Sequence, residues 1–274
     1  MSLNSVNTNV GAMVALQNLN STNRDLQTVQ GRINTGLKIA TAKDNGAIWA
    51  IAQNQRAESS SLNAVMSSLQ RGQSVVDVAL SAGAAISDIL GQMKEKALAS
   101  TEEGLTSASL KSLNDEYTAL RDQIDTIAEN ASFDGVNLID TGSASIKAIA
   151  NADASSTIDI DHIDLSLTNS DIAAMSSDIS AGADSTDIAD IQAAMESVSS
   201  SLSKLGTGSK ALDTHLTFVG KLQDTIDAGV GNLVDADLAK ESARLQALQV
   251  KQQLGVQALS IANQSASTLL GLFR

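Results

Sequence analysis

Chemistry in this chain would have to start from its two histidines, His162 and His215, because it has no cysteine to supply a thiolate. Neither histidine sits in an H-E-x-x-H frame or beside a second ligand at metal-binding spacing. His162 lies in DIDHID (159–164), an acidic run that could suggest calcium. That run lacks the glycine and the closing glutamate of a calcium loop. Its alternation reads instead as the solvated face of a strand, with His162 on the polar edge. GTGSK (206–210) has a phosphate-loop flavour, yet it does not match GxxxxGK[ST] and follows no strand. It reads as a soft spot inside a long helix. Trp49, the single tryptophan, reads as a packing residue. No GxSxG elbow occurs, and without cysteine there is no thiol nucleophile. The expectation is a protein with no catalytic residue, no metal and no cofactor, and hence not an enzyme.

The elements that would carry such residues are long helices. The chain of 274 residues contains no proline and only 2% aromatic residues. An interior proline costs a helix about 3 kcal/mol, so its absence suits uninterrupted helices. Three segments place apolar residues at alternating steps of three and four. One begins at Ile48 and Ile51 and resumes as Leu62, Val65, Leu69, Gly72, Val76, Ala79, Gly83, Ile86, Leu90, Met93 and Ala97. A second runs Leu110, Leu113, Tyr117, Leu120, Ile124, Ile127. The third continues from Ile188 and Ile191 to Val230 and Leu233, a seam roughly 70 Å long. Together they predict a mainly α fold, a long antiparallel bundle formed by the two halves of the chain. Between 140 and 196 the chain carries eleven acidic residues against one basic, Lys147, and the period falls to two. ASIKAIA (144–150) and the alternating 158–167 predict a small β-hairpin, with a bulge where the phase slips at Asp161–His162. This middle region reads as a solvated excursion. The expected organisation is a terminal module of 1–38 with 234–274, a helical bundle of 39–139 with 184–233, and an outer region of 140–183.

The two ends differ from the rest. Residues 1–23 and 252–273 contain no charged side chain, although the net charge is -13. Each is long enough to span a membrane, but both are rich in Asn, Gln and Ser. An unpaired amide in hydrocarbon costs several kcal/mol, so membrane insertion is not expected. Nor is nucleic acid binding, given the negative charge. No basic stretch followed by an apolar run opens the chain, so no secretory signal peptide is expected. Apolar positions Leu3, Val6, Val10 and Met13 mark one helical face at the front, and Leu19, Leu26 and Ile33 continue it in a shifted phase. At the back, Leu245, Leu248, Leu259, Leu269, Leu272 and Phe273 mark another. Helices of this kind find their partners in other copies. Buried ions would face their own kind, whereas amides can bond sideways. A heterologous repeating contact gives a helical filament. The alternative is a coiled coil between the two ends of one chain, and both can hold together.

RINTGLKIATAKDNGAIWAIAQNQRAE (32–58) resembles the amino-terminal signature of bacterial flagellins, R-x-x-x-G-x-[RK]-I-x-x-A-x-D, at Arg32, Gly36, Lys38, Ile39, Ala42 and Asp44. FDGVNLI (133–139) is similar to that family's turn ahead of its variable region. LGVQALSIANQSASTLLGLFR (254–274) resembles the carboxy-terminal pattern at Gly255, Leu259, Ala262, Asn263, Gln264 and the last residues through Arg274, with Leu254 where alanine is commoner. The resemblance implies a filament subunit of the bacterial flagellum, serving swimming motility. It implies export unfolded through the flagellar type III channel, without a cleaved signal, and assembly at the distal tip. The implied partners are other flagellin subunits, the export apparatus, a chaperone, and the cap and hook-junction proteins. The implied location is the extracellular filament, with terminal helices that order on assembly in its core. The hook–filament junction protein is the alternative. Some short flagellins bear sugars, for which Thr141, Ser143, Ser145, Thr168, Ser170, Ser176, Ser177, Ser180, Ser185 and Thr186 are the candidate acceptors.

Overall fold

The computed structural model describes residues 8–142, 144–168, 170–173 and 178–271, with the side chains of 170, 171 and 265–271 left aside. Leu3, Val6, Ser143, Ser176, Ser177, Leu272, Phe273 and Arg274 lie outside the described residues, as do the side chains of Ser170 and Leu269. The elements are α1 (Val10–Thr35), α2 (Gly46–Ser100), α3 (Ser107–Asn130), β1 (Ser132–Phe133), β2 (Val136–Asn137), β3 (Ile146–Ile149), β4 (Thr157–Ile160), α4 (Ser170–Ala173), α5 (Ser185–Val234) and α6 (Leu238–Gly271). The fold is mainly α with a small β-hairpin, β3–β4, as the sequence predicts; a second antiparallel pair, β1–β2, is not among the expected elements. The chain divides into two compact units. One comprises the chain up to Ala57 and from Thr225 onward; the other is Glu58–Asp224.

In the second unit the predicted seams form the core. Leu62, Val65, Leu69, Val76, Ala79, Ile86, Leu90, Met93 and Ala97 of α2 are buried. So are Tyr117 and Ile124 of α3. On α5, Ile191, Val198, Leu205, Leu212 and Val219 are buried at strict seven-residue intervals. The helix starts are capped by local carboxylates and hydroxyls. Asp184 Oδ1 accepts from the backbone N–H groups of Thr186 and Asp187, and Asp187 Oδ2 accepts from Asp184 N–H. This reciprocal capping satisfies donors that the first turn of α5 cannot pair itself. Among the described residues, α2 alone has the length and composition to cross a membrane. Its apolar seam is taken up by the bundle.

The predicted hairpin forms, with Ile146 opposite Ile160 and Ala148 opposite Ile158. Its setting differs from the solvated excursion expected. Ala148, Ile160, Leu165, Ile172 and Ile179 are all buried, and the segment lies along α2 from Ser68 to Ser100. Glycines open the groove. A Cβ on Gly208 would lie 2.6 Å from Ile160 Cδ1, and one on Gly83 would lie 2.7 Å from Leu202 Cδ2. Helix side chains satisfy the incoming backbone. Ser68 Oγ accepts from Ile149 N–H, Asn114 Oδ1 from Ile179 N–H, and Ser100 Oγ from Ala183 N–H. His215 Nε2 donates to the Ala150 carbonyl at 2.7 Å. GTGSK is therefore no soft spot; α5 runs through it unbroken, and Gly208 is the socket for β4. The phase slip at Asp161–His162 is not a bulge either. After Ile160 the chain leaves β3, and Ile163 and Leu165 donate instead to the carbonyls of Leu138 and Ile139. His162, read as a surface residue, is half-buried, with Nε2 donating to the Asp140 carbonyl.

Candidate assembly interface

In the first unit α1 and α6 lie antiparallel. Asn9 Nδ2 donates to the Ala262 carbonyl at 2.8 Å, Gln252 Nε2 to Asn23 Oδ1 at 2.8 Å, and Arg32 Nη1 to Glu241 Oε1 at 3.1 Å. Close packing accompanies these bonds, for a Cβ on Gly255 would lie 3.3 Å from Leu19 Cδ1. On α6 the inward positions are Glu241, Leu245, Leu248, Gln252, Gly255, Leu259 and Ala262, spaced by four and three. On α1 they are Ala12, Ala15, Leu19, Thr22, Leu26, Val29 and Ile33. The coiled coil within one chain is thus present.

A second set of apolar side chains faces away from this pairing. Val10, Met13, Val14 and Leu16 on α1 are exposed, Met13 to 63%. On α6, Val250, Leu254, Val256 and Ile261 are exposed, Ile261 to 68%. Val250, Leu254 and Ile261 lie at spacings of four and seven, hence on one side of the helix. Leu248 is buried, and Leu245 and Leu259 are half-buried, so these three serve the pairing within the chain. Sequence phase singled them out and missed Val250, Leu254, Val256 and Ile261. The signal for those four was apolar residues standing outside the heptad phase. The shift in phase between Met13 and Leu19 is also explained: Val10 and Met13 belong to the outer face, Leu19 and Leu26 to the inner. Asn263 and Gln264 are exposed.

The motif residues after α1 build the turn that joins the terminal helices to α2 and α5. Gly36 takes φ 71, the left-handed conformation that closes α1 and that a Cβ would disfavour. Its carbonyl accepts from Ala236 N–H at 2.8 Å, while Lys38 N–H donates to the Val234 carbonyl at 2.7 Å. Ile39 packs with Ala52, Val230 and Val234, against which Ile48 and Trp49 rest. Lys38 and Ala42 are exposed. Asp44 Oδ2 accepts from Ala40 N–H, Thr41 N–H and Thr41 Oγ1. The Thr41 amide and hydroxyl hold its carboxyl below the usual carboxylate range. The turn continues into α2, where Asn45 Oδ1 accepts from Ile48 N–H at 3.2 Å. Among the candidate sugar acceptors, Thr141, Ser145, Thr168, Ser180, Ser185 and Thr186 are exposed.

The geometry is that of a structural subunit with apolar faces left over, and comparison with known proteins decides which. The family model for the bacterial flagellin N-terminal helical region matches residues 6–144, and that for the C-terminal helical region matches 188–273. The chain belongs to the bacterial flagellins. Flagellin FljK of Caulobacter vibrioides is 58% identical over 274 residues, the whole of both chains. Flagellin FljJ of the same organism is 41% identical, covering 98% of each. The flagellin of Brucella melitensis is 37% identical over 98% of this chain and 99% of that one. This flagellin is a structural subunit of the bacterial flagellar filament, and the extracellular filament is its place. Nothing in these matches favours the hook–filament junction reading.

Proposed function

We propose that this flagellin polymerises by burying the outer faces of α1 and α6 against neighbouring copies, so that the paired terminal helices line the inner wall of the filament. The observation that carries this is the two-sidedness of both helices. A surface helix of a monomer has one apolar stripe, and these have two. Burying a Leu, Val, Ile or Met side chain stabilises by about 1.5–3 kcal/mol. Eight such residues per subunit, each about half exposed, offer on the order of 6–12 kcal/mol, comparable with the cost of association. In this reading residues 1–38 and 234–274 form the core, 39–139 and 184–233 the surrounding tube, and 140–183 the outer surface. Val10 and Met13 are core contacts between subunits, joined by Leu3, Val6, Leu269, Leu272 and Phe273. Leu245, Leu248 and Leu259 act one step back, by holding α6 on α1. The subunit leaves the cell unfolded through the flagellar export apparatus, escorted by a chaperone and without a cleaved signal. It then folds under the filament cap. Exposed hydroxyls such as Thr141 and Ser180 are where sugars would be attached.

Deleting 254–274 removes Leu254, Val256 and Ile261 together. The truncated protein should remain folded in its second unit and fail to extend filament seeds in a sedimentation assay. Filaments growing from it at the normal rate would reject the core-packing reading.

A further inference from the structure

Apolar burial does not by itself say which side of α6 should meet α1. The inward seam offers Leu245, Leu248, Leu259 and Ala262, but three of its seven positions are Glu241, Gln252 and Gly255. Half a turn away, Val250, Leu254 and Ile261 would bury as much. A helix apolar on both sides is free to rotate and to slide, unless polar groups choose for it.

Three polar contacts are placed to choose. Arg32 and Glu241 meet at one end, with Glu241 only 8% exposed. Asn23 meets Gln252 in the middle, and Asn9 meets the Ala262 carbonyl at the other end. The ion pair is a single contact, and Arg32 Nε and Glu241 Oε2 are both buried without a hydrogen-bond partner. A pair so imperfectly satisfied adds little stability, because desolvation offsets its attraction. Separating it, however, leaves a buried Glu241 carboxylate and a partly buried Arg32 guanidinium without their partner. A slip of one turn, three or four residues, sets Arg32 opposite Arg244 and Leu245 in one direction, or Asp237 and Leu238 in the other. It sets Asn23 opposite Gly255 and Val256 in the first direction, or Leu248 and Gln249 in the other. Rotation by half a turn carries Glu241 and Gln252 away from α1 altogether. Each slip loses at least one of the two side-chain pairings, and the rotation loses both, which is how buried polar pairs fix register in helix pairs.

We propose that Arg32 and Glu241, aided by Asn23 and Gln252, are positioning residues that select the face and register of α6 against α1. In doing so they leave Val250, Leu254 and Ile261 outward. The consequence for assembly rests on the proposed function; the register itself does not.

The absence of cysteine makes the test clean. Leu19→Cys with Gly255→Cys reports the native register, and Leu19→Cys with Leu259→Cys a one-turn slip on the same face. Oxidised full-length protein is denatured and scored for intrachain disulfides by gel mobility. With Arg32 and Glu241 present, the 19–255 bridge should dominate. In the Arg32→Leu, Glu241→Leu background, where apolar residues keep the helices paired, the slipped 19–259 bridge should rise about tenfold. Reversing the pair, Arg32→Glu with Glu241→Arg, should restore the native product. If the double leucine variant forms the 19–255 bridge alone, or if the native background never forms it, the proposal is overturned. A correct native bridge in protein that makes no filaments would instead count against the polymerisation reading only.

Discussion

Two residues show how far single side chains report on this fold. Tyr117 is the one tyrosine and is buried in the second unit. Burial, with the nearby carboxylates of Asp187 and Asp190, pushes its phenol up from 10.0 to about 12, against a smaller opposite pull from Arg121. A raised folded value means the neutral form is favoured in the fold. Stability is therefore intact below pH 10 and is lost as pH climbs toward 12. Phenolate absorbance should rise together with loss of helicity in that interval; a titration centred at 10 in fully helical protein would contradict the burial. Gly182 makes a steric case. Its φ is 91, and a Cβ there would lie 3.1 Å from the Ser100 carbonyl oxygen. That carbonyl is backbone and cannot swing aside. Gly182→Ala should therefore cost about 2 kcal/mol in urea unfolding, with no change in the first unit's Trp49 fluorescence in native buffer.

Among the elements, the hairpin and α5 depend on each other through one glycine. Gly208→Val would drive Ile160 out of its seat on α5, an overpacking cost of about 1–3 kcal/mol. Amide exchange should speed up over Ile146–Ile149 while α3 keeps its protection. Gly206 is the control: a Cβ there meets nothing within 4 Å, so Gly206→Ala should stabilise by up to about 1 kcal/mol of helix propensity. Equal responses at the two positions would show that the hairpin does not need the socket. The sequence disclosed the long seams because heptad spacing and burial have one cause, the line where two helices meet. Leu62 to Ala97 and Ile191 to Val219 follow it closely. It failed where the partner changes. Ile51 is 51% exposed while Ala52 is 1%, and Val234 replaces Leu233 in the core. There the neighbours of the helix faces include the Leu37–Asp235 pairing and Ile39. Alternation disclosed the hairpin too. Its docking was not legible, because a glycine that admits a neighbour looks in sequence like one that merely loosens a helix.

At the scale of the whole molecule, charge and apolar surface are kept apart. The acidic excess lies in the interior of the chain, and the ends carry none. A charge placed on the outer face of α6 would therefore do more than delete an apolar contact. In a helical assembly each substitution recurs in every subunit, so like charges would gather in a desolvated core, where neither water nor a counter-ion reaches them easily. Leu254 separates the two effects, being 56% exposed in the single chain. Leu254→Asn gives up the burial of a half-exposed side chain, worth about 1–1.5 kcal/mol, and leaves an amide that can bond sideways. It should raise the concentration needed for polymerisation by up to about tenfold and still yield filaments. Leu254→Asp is nearly the same size but carries a charge. It should give no filaments under the same conditions, with monomer helicity unchanged because the position lies off the α1 contact. Filaments from the aspartate variant as readily as from the asparagine variant would mean that this face points to water in the assembled state, and that something other than core burial accounts for the uncharged ends.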